Sequence, residues 1–186
     1  RIVKFATDIT ASKLKNAYFE GQIEAINKAQ AVIEFDLDGK ILNANENFTN
    51  TVGYSLEEIV GKHHSMFVVD DYKRSVEYSQ FWEQLRQGVQ FSDEFKRVGK
   101  GGKEVWIQAS YNPILDQNGR PYRVVKYAID ITGTKQAIKD IKHAMSELVE
   151  GNLDCRIDHE FEGEFKELGA SINRFIDDMR RIIGSI

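Results

Sequence analysis

The chain has 186 residues, 41% of them apolar and 11% aromatic, which is enough to bury a core and too much for a wholly disordered segment. Its net charge is −4 with Lys and Arg scattered along the length, which argues against nucleic acid as the main partner, since phosphate contacts need a concentrated basic face. A single cysteine, Cys155, rules out an internal disulfide and a Cys-based metal cluster and fits a reducing compartment; no run of about 18 apolar residues is present to span a bilayer.

In chain order, the first feature is a repeat. Residues 1–10, Arg-Ile-Val-Lys-Phe-Ala-Thr-Asp-Ile-Thr, match residues 123–132, Arg-Val-Val-Lys-Tyr-Ala-Ile-Asp-Ile-Thr, at seven of ten positions. The period of 122 residues is the size of one small domain plus a linker. The chain is therefore expected to open on the last strand of one unit (1–10) and to contain a second unit whole. Residues 11–27 follow as a linker helix, with Leu14, Tyr18 or Phe19, Ile23 and Ile26 at helical spacing and Thr10 or Ser12 as N-cap.

Residues 31–36 and 41–45 are β-prone runs flanking an Asp38-Gly39 turn, a hairpin signal. From Asn47 to Tyr72 the pattern breaks into short helices and loops. Ser55 with Glu58 reads as a capping box. Residues 78–87 form a helix with Phe81, Trp82 and Leu85 on its apolar side. Alternating runs at 91–98 and 104–113 are separated by the Gly99–Gly102 turn, and a turn at 116–119 precedes a last strand at 121–131. The order predicts an α+β domain, a five-stranded antiparallel sheet with short helices on one face.

Residues 133–186 have another texture. Ile138, Ile141, Met145 and Leu148 are spaced 3-4-3, and Phe165, Leu168, Ile172, Phe175, Met179, Ile182 and Ile186 continue a heptad seam. Between them, residues 150–163 are polar and punctuated by Gly151 and Gly163, a joint long enough for two helices to run parallel. A bare heptad seam calls for a partner chain, so a homodimer through parallel helices is expected.

Residues 28–132 resemble a PAS domain. The resemblance rests on Phe35-Asp36 with Asp38-Gly39, Asn43-Ala44-Asn45, Phe48, Gly53-Tyr54, Glu57 to Lys62, the Gly101-Gly102 turn before Trp106, Asn112-Pro113-Ile114, Asp116 with Gly119, and Asp130-Ile131-Thr132. The 61–68 and 104–114 stretches look most like PAS domains of bacterial methyl-accepting chemotaxis proteins with tandem PAS units, of the aerotaxis and biofilm-dispersion type. Leu148 to Ile157, Gly163-Glu164-Phe165, Leu168 and Asn173 are similar to a HAMP module. The resemblance implies a cytoplasmic sensory module, not an enzyme, with a small ligand, gas or redox cofactor in the PAS pocket and a chemotaxis kinase complex reached through regions outside this segment.

PAS pockets of this kind can hold haem or flavin, or nothing. His63 and His64 are then candidate ligands, His64 for haem iron, with a solvent-facing or helix-capping role as the alternative. Trp82 and Trp106 are candidates to line a flat cofactor, though the helical stripe of Trp82 with Phe81 and Leu85 favours a core role and the face of Trp106 depends on strand register. Asn43, Asn45 and Asn112 can bond a polar ligand edge or their own backbone. Tyr127 can donate to bound oxygen; Phe5 stands there in the other repeat. The cysteine of flavin-adduct photosensors has no counterpart within 28–132. Asp130, Ile131 and Thr132, like Asp8 and Thr10 in the first copy, are expected to relay a signal, with Thr132 capping the next helix and joining it stiffly to the strand. A ligand-free PAS spacer and the PAS region of a sensor kinase or cyclase are the competing readings.

Overall fold

The architecture comes from a computed structural model that describes residues 8–183; the expected first strand lies largely outside the described residues, as does the last heptad position, Ile186. Helix α1 spans Thr10–Ala29 and buries none of its side chains. Strands β1 (Ala31–Phe35) and β2 (Ile41–Ala44) form the expected hairpin. Four short helices follow: α2 (Glu46–Val52), α3 (Leu56–Ile59), α4 (Asp70–Lys73) and α5 (Val76–Arg86), with a 3-10 turn at His64–Phe67 after α3. Strands β3 (Phe91–Val98), β4 (Glu104–Leu115) and β5 (Pro121–Asp130) complete the sheet before helices α6 (Thr132–Val149) and α7 (Glu164–Ile183).

All pairings are antiparallel, in the order β2-β1-β5-β4-β3. The last strand therefore lies at the centre, between the first and the fourth. Period-two alternation sends Val105, Ile107, Ala109 and Tyr111 of β4 to the inner face and Glu104, Trp106 and Gln108 to the other. Helices α2 to α5 cover the inner face, where Phe35, Phe48, Ile59, Phe67, Trp82 and Leu85 join one core. Each fully buried apolar side chain of this kind stabilises by about 1.5–3 kcal/mol.

Caps set the boundaries of the short helices. Ser55 and Glu58 form the expected reciprocal box on α3, and Ser75 accepts from the Tyr78 N–H to start α5. The expected caps of α1 are corrected: Ile9 holds the N-cap position, and the Asp8 carboxylate accepts from the Thr10 N–H at 2.9 Å. Gly39 is needed in the β1–β2 turn. Its φ is +81°, and a Cβ there would meet His63 Nε2 at 2.7 Å and the Trp82 ring at 2.9 Å.

Candidate functional site

The core is centred on His64. His63 stays exposed and caps the 3-10 turn, its Nδ1 accepting from the Ser65 N–H at 3.1 Å. One residue on, the chain turns His64 fully inward. Its Nδ1 is 2.8 Å from Tyr78 Oη and its Nε2 is 2.9 Å from Tyr111 Oη. Arg97 Nη2 donates to the same Tyr111 oxygen at 3.1 Å. Burial, then the charges of Arg97 and Lys126, hold His64 well below its ordinary 6.5. The ring is thus neutral, donating through one nitrogen and accepting through the other. Burial raises both Tyr78 and Tyr111, so they remain hydroxyl donors.

Two basic side chains share this interior. Lys126 is 1% exposed, with Nζ 4.9 Å from the Tyr111 ring and 5.5 Å from the Phe48 ring. Burial, then Arg97, holds it well below 10.5. Arg97 is 5% exposed, its guanidinium 4.7 Å from the Phe95 ring and its Nη1 donating to Lys96 O. Neither residue forms an ion pair among the described residues. Arg97 Nε and Trp82 Nε1 are buried without an acceptor, the indole lying near the Tyr78 hydroxyl without completing a bond.

Of the sequence candidates, the structure brings only His64 and Trp82 into this core. Trp106, Asn112 and Tyr127 are corrected, because the strand register turns them to the opposite face of the sheet. Trp106 Nε1 donates to Glu104, Asn112 bonds Ser110 Oγ, and Tyr127 lines a shallow cleft with Ala25, Ile26 and Ala29 of α1. Asn43 is exposed. Asn45 caps α2, its Oδ1 accepting from the Val32 and Phe48 N–H groups, while its Nδ2 donates to Asn27 O and Gln30 O. Lys126 and Arg97 are the residues that sequence reasoning missed. Val124-Lys126-Ala128 and Val125-Tyr127-Ile129 are both apolar enough to face inward, and the lone lysine marks the wrong set as the wet one.

Haem and flavin do not fit these residues. Both His64 nitrogens are taken by tyrosines, leaving no lone pair for iron. Ring centroids at 4.9 Å (Phe81–Tyr111) and 5.6 Å (Phe35–Trp82) leave no slot, since a flat ring inserted between two others needs roughly 7 Å between their faces.

The sheet leaves this core through a locked corner. Asp130 ends β5, and its Oδ1 accepts from the Thr132 N–H at 2.8 Å. The Ile131 N–H donates to Trp106 O at 2.8 Å, and Thr132 Oγ1 accepts from Trp106 N at 2.9 Å. The expected Thr132 cap is thereby corrected: Ile131 holds the N-cap position without a side-chain bond, the carboxylate serves the free N–H, and the threonine hydroxyl pins the helix start to β4. Lys135, one turn on, pairs with Glu94 of β3 and lies 5.3 Å from the Trp106 ring.

Beyond the corner, the connector runs back along α6. Arg180 Nε donates to Leu153 O at 2.6 Å, Asn173 bonds both backbone groups of Ile157 at 2.9 Å, and Phe161 packs on Gly169. Phe165 at the start of α7 shares a cleft with Thr132 and Ala137 at the start of α6. The two helices therefore run parallel. No helix among the described residues is long and apolar enough to cross a membrane.

The central strand of a helix-covered sheet is thus fastened to a parallel helix pair. Residues 41–128 match the PAS fold family and residues 134–181 the HAMP domain family. The chain is 38% identical to the biofilm dispersion protein BdlA of Pseudomonas aeruginosa over 132 residues, 71% of this chain and 32% of that protein. It is 30% identical to the aerotaxis receptor of Escherichia coli over 80 residues, 43% of this chain and 16% of the receptor. The chain thus spans about a third or less of the curated relatives it matches. The crystal structure of a PAS domain from Colwellia psychrerythraea superposes with a TM-score of 0.54 at 23% identity, covering 62% of this chain and 98% of that one, a likeness of fold. The chain thus carries a PAS fold followed by a HAMP domain, a sensory signal-transduction module similar to segments of BdlA and of the aerotaxis receptor.

Proposed function

We propose that residues 28–132 receive a small ligand and that 133–186 carry the resulting change, as a dimer, to the signalling region of a cytoplasmic chemotaxis receptor that controls a kinase complex without catalysis of its own. The observation carrying this reading is the corner at Asp130–Thr132. Both backbone groups of Trp106 are engaged there, by the N-cap Ile131 and the first α6 residue, Thr132. A shift of β4 against β5 therefore moves the base of α6 with it. A ligand that favours one setting of this corner biases the helix pair, and only by its differential affinity for the two settings.

Thr132→Val keeps the side-chain shape and removes the hydroxyl that ties helix to strand. In the full-length receptor assayed with its chemotaxis kinase, this variant is expected to fold and dimerise but to lose stimulus-dependent control. Faster amide exchange at Trp106 and the first turn of α6 should accompany the loss. A variant that exchanges faster yet signals normally sinks the relay. A second reading, a ligand-free spacer, is favoured by the tight packing around His64. Under either reading the purified protein should show ultraviolet aromatic absorption without Soret or flavin bands.

A further inference from the structure

The inner face of the sheet holds an imbalance of chemistry. Arg97, Lys126, His64, Tyr78, Tyr111 and Trp82 all bring donors to one apolar interior. The acceptors facing them are two tyrosine oxygens, one imidazole nitrogen and Lys96 O. Arg97 Nε and Trp82 Nε1 are left over. A guanidinium stays charged at any accessible pH, and a buried charge without a counter-charge is destabilising. Buried, unpaired ionisable groups of this kind mark a candidate functional site.

We propose that the core receives a small carboxylate, whose oxygens pair with Arg97 and Lys126, neither of which has a carboxylate partner among the described residues, and whose short carbon part lies on the Tyr111 ring. This rests on the sensory reading above and names its ligand class. The guanidinium fork suits a carboxylate bidentately, and Tyr111, bonded to Arg97 and beneath Lys126, joins the two cations. The closely spaced rings limit the guest to a few carbons. Lys126 and Arg97 are the long flexible side chains of this interior, and they make room by drawing back from Tyr111 and Phe95. The ligand also couples to protons. The charged and titratable groups facing Lys126 are Arg97 from β3, Tyr111 from β4 and His64 from the 3-10 turn, with Tyr78 of α5 behind His64. Glu34, beside the β1 position that pairs with Lys126, turns outward to Arg123. An added anion stabilises the ammonium and raises the Lys126 pKa from where burial holds it, so binding takes up a proton across the interval between the two values.

The test is calorimetric titration and thermal unfolding with acetate, pyruvate and malate, against sodium chloride and inorganic phosphate. At least one carboxylate is expected to bind and raise the unfolding temperature, with proton uptake seen by comparing buffers of different ionisation enthalpy. Arg97→Gln should weaken binding roughly tenfold to a hundredfold. Lys126→Met should unfold at the same or higher temperature without ligand, yet lose both the ligand shift and the proton uptake. A structural lysine would instead lower the temperature and leave binding alone, which overturns the proposal. So does the absence of any carboxylate effect at about 10 mM, a limit corresponding to very weak binding, or a response to phosphate alone. If a neutral ligand binds and moves a spin label at Met145→Cys in a Cys155→Ser background, the sensory reading stands and this inference falls. If a carboxylate binds and that label does not respond, the inference stands and the relay falls.

Discussion

At the scale of single residues, His64 and Lys126 set how stability follows pH. Both have folded-state pKa values held below their ordinary 6.5 and 10.5, chiefly by burial. Protons therefore bind the unfolded chain more readily than the folded one. The contribution of Lys126 to the native state is lost as pH falls below 10.5 and that of His64 as it falls below 6.5, while the raised Tyr78 and Tyr111 penalise the native state above 10. Each group contributes a slope of up to about 1.4 kcal/mol per pH unit. Urea unfolding from pH 9 to pH 5 should show stability falling throughout, with Lys126→Met flattening the curve above neutrality. His64→Leu fills the volume but strips Tyr78 of its hydrogen-bond partner and Tyr111 of one of two. It is expected to destabilise by about 2–4 kcal/mol at pH 8.

At the scale of elements, Asn45 is a junction. Its oxygen caps α2 and closes on β1, and its amide holds the last carbonyls of α1. Asn45→Asp keeps the acceptor and loses the donor; Asn45→Ala loses both. The aspartate is expected to leave the domain's stability near wild type while amide exchange quickens through the last turn of α1. The alanine should cost about 1–2 kcal/mol as well. The strands, the Ser55–Glu58 box and the two long helices were legible in the sequence because each has a local signal: alternation, a cap or a heptad. The site was not. Inner and outer faces of β5 differ by one register step, and the lysine in Val124-Lys126-Ala128 marks that buried set as the outer one against Val125-Tyr127-Ile129. Only the pairing of β5 between β1 and β4 decides which set is buried. Thr132 was misread for a similar reason: a threonine at a helix start resembles a cap, and its true partner, Trp106, is 26 residues away.

At the scale of the whole molecule, the apolar surface left over indicates how the chain is completed. On α7, Ile176 is buried, whereas Leu168, Phe175 and Ile182 remain 46%, 54% and 58% exposed. They stand at heptad spacing on a helix that already runs parallel to α6, and covering the exposed half of each is worth about 0.8–1.5 kcal/mol. A second copy carries the same stripe, and a two-fold axis along the helix pair sets four helices side by side with their seams inward. Light scattering at micromolar concentration is therefore expected to give a dimer mass. Phe175→Glu places a charge in that seam without touching the sheet or the Asp130–Thr132 corner. It should yield a monomer whose PAS core keeps its near-ultraviolet dichroism and its unfolding of residues 31–130 by hydrogen exchange. A Phe175→Glu protein that stays dimeric would move the interface elsewhere, with α1 and its exposed Leu14, Tyr18 and Ile23 as the surface to mutate next.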